Sequence, residues 1–401
     1  MKFDFTSILD RKGKDAIAVD LVKEGGSYPP PKEGFDVIPM WIADMNFPVC
    51  PTIQEHMIAR AQHPTFGYFM PTEEYYNAII RWQESHNGVT GLTADNIGYE
   101  NGVLGGVVTA LNVYCSRGDK VLLHSPTYVG FTHSLINNGY DIVHSPLVKD
   151  ENGVWRMDFE DMEKKIVEGK IHAAIFCSPH NPCGRVWEQW EVEKAMELYK
   201  KHDVMVVSDE IWSDIILSGH KHVPTQSVSE DARMRTVALY APSKTFNLAG
   251  LVGSYHIIYN KMIKDRCDKE SSLSHYNSMN VMSMHALIGA YQPEGYEWTQ
   301  ELCQTITGNV DFACDYIEKH FEGVKVSKPQ GTYMLFIDCA EWLEKHGKTM
   351  DELMKAGWDV GVVWQDGRAF HGQTHIRLNL ALPLSRVKEA FDRLDKYVFN
   401  A

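Results

Sequence analysis

Ile171-His172-Ala173-Ala174-Ile175-Phe176-Cys177-Ser178 runs directly into Pro179-His180-Asn181-Pro182-Cys183-Gly184-Arg185. The first stretch is a short apolar run, the pattern of a strand buried on both faces. The second is too rich in proline and glycine for a helix or a central strand. Together they read as a buried strand that ends in a polar loop. The pairing recurs along the chain. Lys120–Ser125 (KVLLHS) leads into Pro126-Thr127-Tyr128, and Val204–Ser208 (VMVVS) leads into Asp209-Glu210. Thr236–Tyr240 (TVALY) leads into Ala241-Pro242-Ser243-Lys244-Thr245-Phe246-Asn247.

Amphipathic stretches separate these runs. Asp158 to Gly169 sets Phe159, Met162 and Ile166 at helical spacing behind Asp158 as N-cap. Glu188 to His202 does the same with Trp190, Ala195, Leu198 and Tyr199. Strands alternating with helices imply a mostly parallel sheet covered on both faces. Near the C-terminus Val387, Phe391, Leu394 and Val398 form one apolar stripe. Gly25-Gly26-Ser27-Tyr28-Pro29-Pro30-Pro31 is a local loop. The expected architecture is α/β. A large domain, residues 49–288, carries the parallel sheet, and residues 1–48 combine with 289–401 into a smaller α+β domain.

The 401 residues exceed what one hydrophobic core usually serves, which suits two lobes. With 44% apolar and 23% charged residues the composition is that of a globular protein. No apolar run approaches the roughly eighteen residues of a membrane span. Met1-Lys2-Phe3-Asp4-Phe5 lacks the pattern of a secretory signal, so a cytoplasmic protein is expected. A net charge of -14 argues against nucleic acid or an anionic membrane as partner. The eight cysteines form no Cys-x-x-Cys pair and read as reduced. His371 and His375 are separated by a glycine in a loop, and no metal site is expected.

In an open parallel sheet, ligands bind beyond the carboxyl ends of the strands. The four loops above therefore bring a carboxylate (Asp209), an amide (Asn181), an aromatic ring (Tyr128) and an amine (Lys244) to one crevice. A pyridoxal ring needs that set of groups. Upstream, Asn101-Gly102-Val103-Leu104-Gly105-Gly106-Val107 opens an apolar stretch that reads as a helix entered through glycine. Such an N-terminus favours a phosphate.

The ordered set resembles the fold-type I pyridoxal-phosphate enzymes of the class I/II aminotransferase superfamily. Ser-Pro-x-Asn-Pro-x-Gly is followed by Asp-Glu twenty-eight residues on (209 − 181) and by Ser-Lys thirty-five after that (244 − 209). Ile376-Arg377-Leu378-Asn379 is similar to the segment bearing the substrate-carboxylate arginine. Within the superfamily, three segments resemble the cystathionine β-lyase branch, the cysteine-S-conjugate β-lyases of the MalY/PatB type. They are Pro39-Met40-Trp41-Ile42-Ala43-Asp44-Met45, the run from Ala241 to Leu251, and Gly67-Tyr68 ahead of Pro71. Aminotransferases usually carry an arginine eight residues after the lysine. Val252 stands there in this chain, which suits the lyase branch.

The resemblance implies a role for each residue. Lys244 would carry the cofactor and move the Cα proton. Asp209 would face the ring nitrogen, Asn181 the phenolic oxygen, and Tyr128 the ring itself. Val103, Leu104 and Ser243 would line the phosphate cup. Arg377 would grip the substrate carboxylate, with Asn181 and Ala43 also at the substrate. Tyr68 would reach the active site of a neighbouring subunit, which implies a homodimer with shared sites. Trp212 stands where Tyr or His usually donates to the phenolic oxygen; an indole N–H donates but does not titrate. Asn46 replaces a frequent Asp. The implied reaction is β-elimination of an amino acid bearing sulfur at Cβ. Transamination on the same scaffold is the alternative, since the two share their early steps. An intact Lys, Asp and Arg set speaks against a non-catalytic cofactor-binding regulator. Trp364 and Phe370 are candidates either for the side-chain pocket or for plain core.

Overall fold

The computed structural model describes residues 1–273 and 277–400. Seven strands build the larger sheet: β1 (Ile97–Asn101), β2 (Lys120–Ser125), β3 (Asp141–Pro146), β4 (Ala173–Cys177), β5 (Met205–Asp209), β6 (Thr236–Tyr240) and β7 (Gly253–Ile257). Their order across the sheet is β1-β7-β6-β5-β4-β2-β3. Strands β2 to β6 pair in parallel, and β7 runs antiparallel to both β6 and β1. Every residue of β4 and of β6 is buried, as continuous apolar runs require. Ile175 in β4 and Val237 in β6, both buried, contribute about 1.5–3 kcal/mol each relative to exposure.

Strand β2 has β3 on one side and β4 on the other, so the winding direction changes between β2 and β4. A crevice at the carboxyl ends of the strands is the normal consequence of such a switch. The loops carrying Tyr128 and Asn181 leave from these two strands.

A second sheet of four antiparallel strands lies in the C-terminal third, with β8 (Lys325–Val326), β9 (Met334–Asp338), β10 (Gln365–Asp366) and β11 (His375–Asn379) in the order β8-β9-β11-β10. The N-terminal segment joins it from far away in sequence. Ile38–Pro39 pairs in parallel with Val362–Val363, the Asn379 N–H donates to the Met40 carbonyl at 2.7 Å, and the Asn46 N–H to the Ala381 carbonyl at 2.9 Å. This pairing carries residues 41–44 to the side of β11 that bears Arg377.

The expected helices form. Helix Phe159–Gly169 starts at Asp158, whose carboxylate accepts the Asp161 N–H. Helix Gln189–Lys201 turns Val192, Ala195, Met196 and Tyr199 inward. Trp190 departs from its expected place in that stripe and is exposed, its indole donating to Glu188 at 2.8 Å beside Arg156. Of the C-terminal stripe, Val387, Phe391 and Leu394 lie in helix Leu384–Leu394, and Val398 follows in a final wider turn; all four are buried. Strands β1, β3 and β7 were not singled out by pattern. They hold Gly98, Asp141, His144 and Gly253 within short spans, which breaks the apolar run that marks the central strands.

Candidate active site

A cavity of about 790 Å³ opens at the carboxyl ends of β2, β4, β5 and β6 and reaches across to residues 41–44 and to β11. Lys244 enters it from a one-turn helix, Pro242–Thr245, that begins directly beyond β6 with proline in its first turn. The next residue pins that turn: Thr245 donates its hydroxyl to the buried Asp214 carboxylate at 2.8 Å, which also accepts the Trp82 indole N–H at 3.2 Å. Lys244 Nζ donates to the Ala43 carbonyl at 3.3 Å and lies 6.0 Å from the Trp212 ring. Burial pushes this amine down to about 8; the Arg377 charge acts the same way, and Asp44 and Asp209 oppose. A lysine held there is readily neutral and basic.

Asp209 ends β5. Burial raises its carboxyl to about 7, against the Ile211 N–H that donates to it at 3.0 Å and the positive charge of Lys244. A cationic ring nitrogen placed against it would return it to the carboxylate. Glu210, the next residue, faces the opposite way into a closed polar network. It accepts from the Tyr240 hydroxyl at 2.8 Å, the Thr225 N–H at 3.0 Å and the Ser208 hydroxyl at 3.0 Å, and meets His222 Nε2 at 2.8 Å. Burial alone would raise its carboxyl, but the His222 contact with these hydrogen bonds holds it low. Every one of these partners fixes the end of β5 and therefore the aim of Asp209.

Helix Val103–Tyr114 presents its N-terminus to the same cavity. Its cap, Gly102, takes φ 78°, a conformation only glycine adopts freely, and no side chain caps the helix. Val103 and Leu104 line the cavity with Ser243 close by, so the first N–H groups of the helix and one hydroxyl are available to an anion. Tyr128 borders the crevice with its edge packed on Phe131 at 5.4 Å, and burial raises its phenol so that it stays neutral.

Arg377 closes the far side. Its guanidinium is buried over the Phe370 ring at 4.3 Å, with Nη1 donating to Asn181 Oδ1 at 3.1 Å and Nη2 to the Trp41 carbonyl at 3.2 Å and to Gln365. Among the described residues its Nε–H has no acceptor and no carboxylate pairs with it. Burial lowers this guanidinium to about 10. An arginine buried without a counter-ion is costly unless an anion completes it.

The structure thus gathers Ala43, Val103, Leu104, Tyr128, Asn181 and Asp209 around one cavity with Trp212, Ser243, Lys244 and Arg377. Tyr68 is not among them and lies fully exposed on the surface. Trp364 proves to be core, its indole donating to the Met354 carbonyl at 3.1 Å, and Phe370 supports Arg377 from beneath. Trp212 lines the cavity edge-on to Tyr333, and among the described residues its indole N–H has no acceptor. Sequence reasoning passed over Gln365 and Arg11. Gln365 stands directly across from Arg377 in the β10–β11 pairing, a relation invisible before the register is known. Arg11 ties residues 44–46 to the cavity mouth, donating to Asp44 at 2.8 Å, the Met45 carbonyl at 3.0 Å and Asn46 Oδ1 at 3.2 Å.

The donor set fits a phosphate-bearing aromatic cofactor with a basic ring nitrogen. The uncapped helix N-terminus suits the phosphate, Asp209 the nitrogen, and Lys244 a carbonyl. Comparison with known proteins bears on the family and the cofactor. The chain is 32% identical over 361 residues to cystathionine beta-lyase PatB of Bacillus subtilis (strain 168), covering 90% of this chain and 92% of that one. It superposes on the crystal structure of cystalysin from Treponema denticola, which contains pyridoxal 5'-phosphate, with a TM-score of 0.90 and 29% identity over 99% of each chain. The PLP-bound C-S lyase from Staphylococcus hominis matches with a TM-score of 0.88 and 27% identity over 99% of this chain and 98% of that one. A model of the aminotransferase class I and II family matches residues 36–394. The chain belongs to the class I and II aminotransferase family.

Proposed function

We propose that this protein is a pyridoxal-phosphate-dependent carbon–sulfur β-lyase that converts L-cystathionine or S-substituted L-cysteines, with water, to pyruvate, ammonia and a thiol. Arg377 carries the reading. Among the described residues it is a buried guanidinium without a counter-ion, facing the same cavity as a lysine depressed to about 8. An α-amino acid supplies both the carboxylate that the arginine lacks and the Cα–H that the lysine can take. The thiol as leaving group is supported by the β-lyase and C-S lyase relatives and by Val252 in the place of the aminotransferase arginine.

When bound, the cofactor supplies a sink for the electron pair left at Cα. The chain's own residues do the rest. Lys244 anchors the cofactor and, once released by substrate, takes the Cα proton. Asp209 keeps the ring nitrogen protonated, while Asn181 and the Trp212 indole donate toward the phenolic oxygen. Tyr128 packs on the ring. The N–H groups of Val103 and Leu104 and the Ser243 hydroxyl hold the phosphate. Arg377 orients the substrate through its carboxylate beside Ala43 and Asn181.

The working unit in this reading is a homodimer. Phe66, Tyr68 and Met70 are all exposed in one short segment, an arrangement that suits burial by a second subunit and delivery of Tyr68 to that subunit's cavity. We take residues 49–288 as the large domain and 1–48 with 289–401 as the small one. No described helix is long and apolar enough to cross a membrane, and the free cysteines suit the cytoplasm. The test is a time course of thiol and pyruvate from L-cystathionine and S-ethyl-L-cysteine without any keto acid. Robust amino transfer to 2-oxoglutarate with no thiol released would overturn the lyase reading. It would promote an aminotransferase, the second reading, which the family match itself supports.

A further inference from the structure

Three cations stand in order along residues 41–44. Arg377 Nη2 donates to the Trp41 carbonyl at 3.2 Å, Lys244 Nζ to the Ala43 carbonyl at 3.3 Å, and Arg11 Nη2 to the Asp44 carboxylate at 2.8 Å. The segment is held firmly from behind. Asn379 Nδ2 donates to the Ile42 and Asp44 carbonyls at 2.8 Å each, and the Asn247 amide brackets Met45 at 3.0 and 3.1 Å. Three residues of chain span at most about 11 Å, so the two arginines lie at opposite ends of one short rail with the lysine between them.

Arg377 and Lys244 account for the carboxylate and Cα of a bound amino acid. Neither they nor the cofactor cradle uses Arg11. A guanidinium has five N–H donors. Arg11 places three bonds, to Asp44, Met45 and Asn46, and among the described residues its Nε–H and remaining Nη2–H have no acceptor. Its side chain is only 18% exposed, and it lines the same cavity. Asp15 lines it too, four residues along the same strap. Among the described residues its carboxylate has neither ion pair nor hydrogen bond, and its backbone turns at φ 57°. The strap itself is fastened, since the Trp41 indole donates to the Ala18 carbonyl at 3.0 Å. The cavity lining thus carries a cation with spare donors, Arg11, paired with one carboxylate, Asp44, and a second carboxylate, Asp15, four residues along the chain.

We propose that Arg11, with Asp15 and Asp44, forms a second charged subsite that binds the far end of the substrate, and that this end is itself a zwitterionic amino acid. The inference rests on the lyase reading and deepens it. The preferred substrates are thioethers joining two α-amino acids, as in cystathionine, rather than simple S-alkyl cysteines. The far carboxylate takes the spare N–H groups of Arg11, and the far ammonium lies between Asp15 and Asp44. An S-alkyl group offers nothing to any of the three.

The test compares kcat/KM for L-cystathionine with kcat/KM for S-ethyl-L-cysteine in the cofactor-loaded wild type, Arg11→Met and Asp15→Asn. The Asp15 side chain is exposed and bonds to no other group among the described residues, so its variant reads the subsite even if loss of Arg11 loosens the strap. The ratio of cystathionine to S-ethylcysteine should fall tenfold or more in Arg11→Met and severalfold in Asp15→Asn, with most of the change in KM for cystathionine. Equal losses on both substrates, or an unchanged ratio in both variants, would overturn the subsite. If the wild type releases pyruvate from neither substrate, the lyase reading fails first and the subsite with it. Release from S-ethylcysteine together with an unmoved ratio overturns the subsite alone.

Discussion

Acidification should destabilise this protein through two histidines behind the Asn181 loop. His124 and His180 are both buried against Trp187, with ring separations of 6.3 and 5.7 Å. Burial holds His124 down to about 4 and His180 to about 3, against an ordinary 6.5. Both folded values lie below the unfolded one. The unfolded chain therefore binds the extra protons first, and stability present above pH 6.5 is lost as pH falls toward the folded values. At pH 5 the deficit is about 1.5 units at each site. At about 1.4 kcal/mol per unit, that is about 2 kcal/mol each and about 4 kcal/mol together. Domains are stable by only about 5–15 kcal/mol, so the loss is large. The depressed carboxylates add their own losses only at lower pH. Urea unfolding of the holoenzyme at pH 7 and pH 5 measures the effect, in wild type and in His124→Phe, whose ring suits the aromatic surroundings. The depressed His144, His220, His285 and His375 add the same loss to both proteins, so the reading is the difference: over this interval the variant should lose about 2 kcal/mol less than the wild type. The same loss in both proteins would refute the assignment to buried neutral imidazoles.

The remaining expectations concern the cavity. Borohydride reduction of the holoenzyme should fix the cofactor to a peptide containing Lys244, and Lys244→Ala should lower kcat by several orders of magnitude; both are read by peptide mass and pyruvate release. Arg377→Lys keeps the charge but loses the two-pronged geometry. It should lower kcat/KM by roughly 10²-fold on every substrate, equivalent to about 2.7 kcal/mol, and a loss confined to one substrate would count against a carboxylate grip. Mixing inactive Lys244→Ala with weakened Tyr68→Phe should restore part of the activity through hybrid dimers once subunit exchange is verified. No recovery would count against a shared site.

The legible parts of the chain were those where a local rule acts alone. β2 and β6 were read to the residue, and β4 and β5 to within two residues, because strands buried on both faces have no polar side to break the run. Lys244, Asp209, Asn181 and Tyr128 were legible because each follows such a strand within a few residues, where the parallel sheet puts its ligands. Gln365 was not, since its link to Arg377 exists only across a strand pairing between β10 and β11. Arg11 was not either, because its partners are thirty-three or more residues away and reach it only through the pairing of the chain's two ends. Trp190 misled because the helical period allows either of two neighbouring stripes in its first turn. A capping carboxylate, Glu188, drew the indole outward. Tyr68 lies outside the cavity, and under the proposed dimer its place would depend on a second chain, which no local rule describes.

The pairing of β7 with β1 has a consequence for how the protein is made. The residues proposed to face the cofactor run from Gly102 to Gly253, and the sheet that aims them closes when β7, ending at Ile257, lies down between β6 and β1. Arg377 and the strand that holds it come more than a hundred residues later. On a ribosome, where chains emerge N-terminus first, the strands of this sheet are made well before Arg377. Under the proposed function, the residues that would hold the cofactor therefore leave the ribosome before the residue that would hold the substrate.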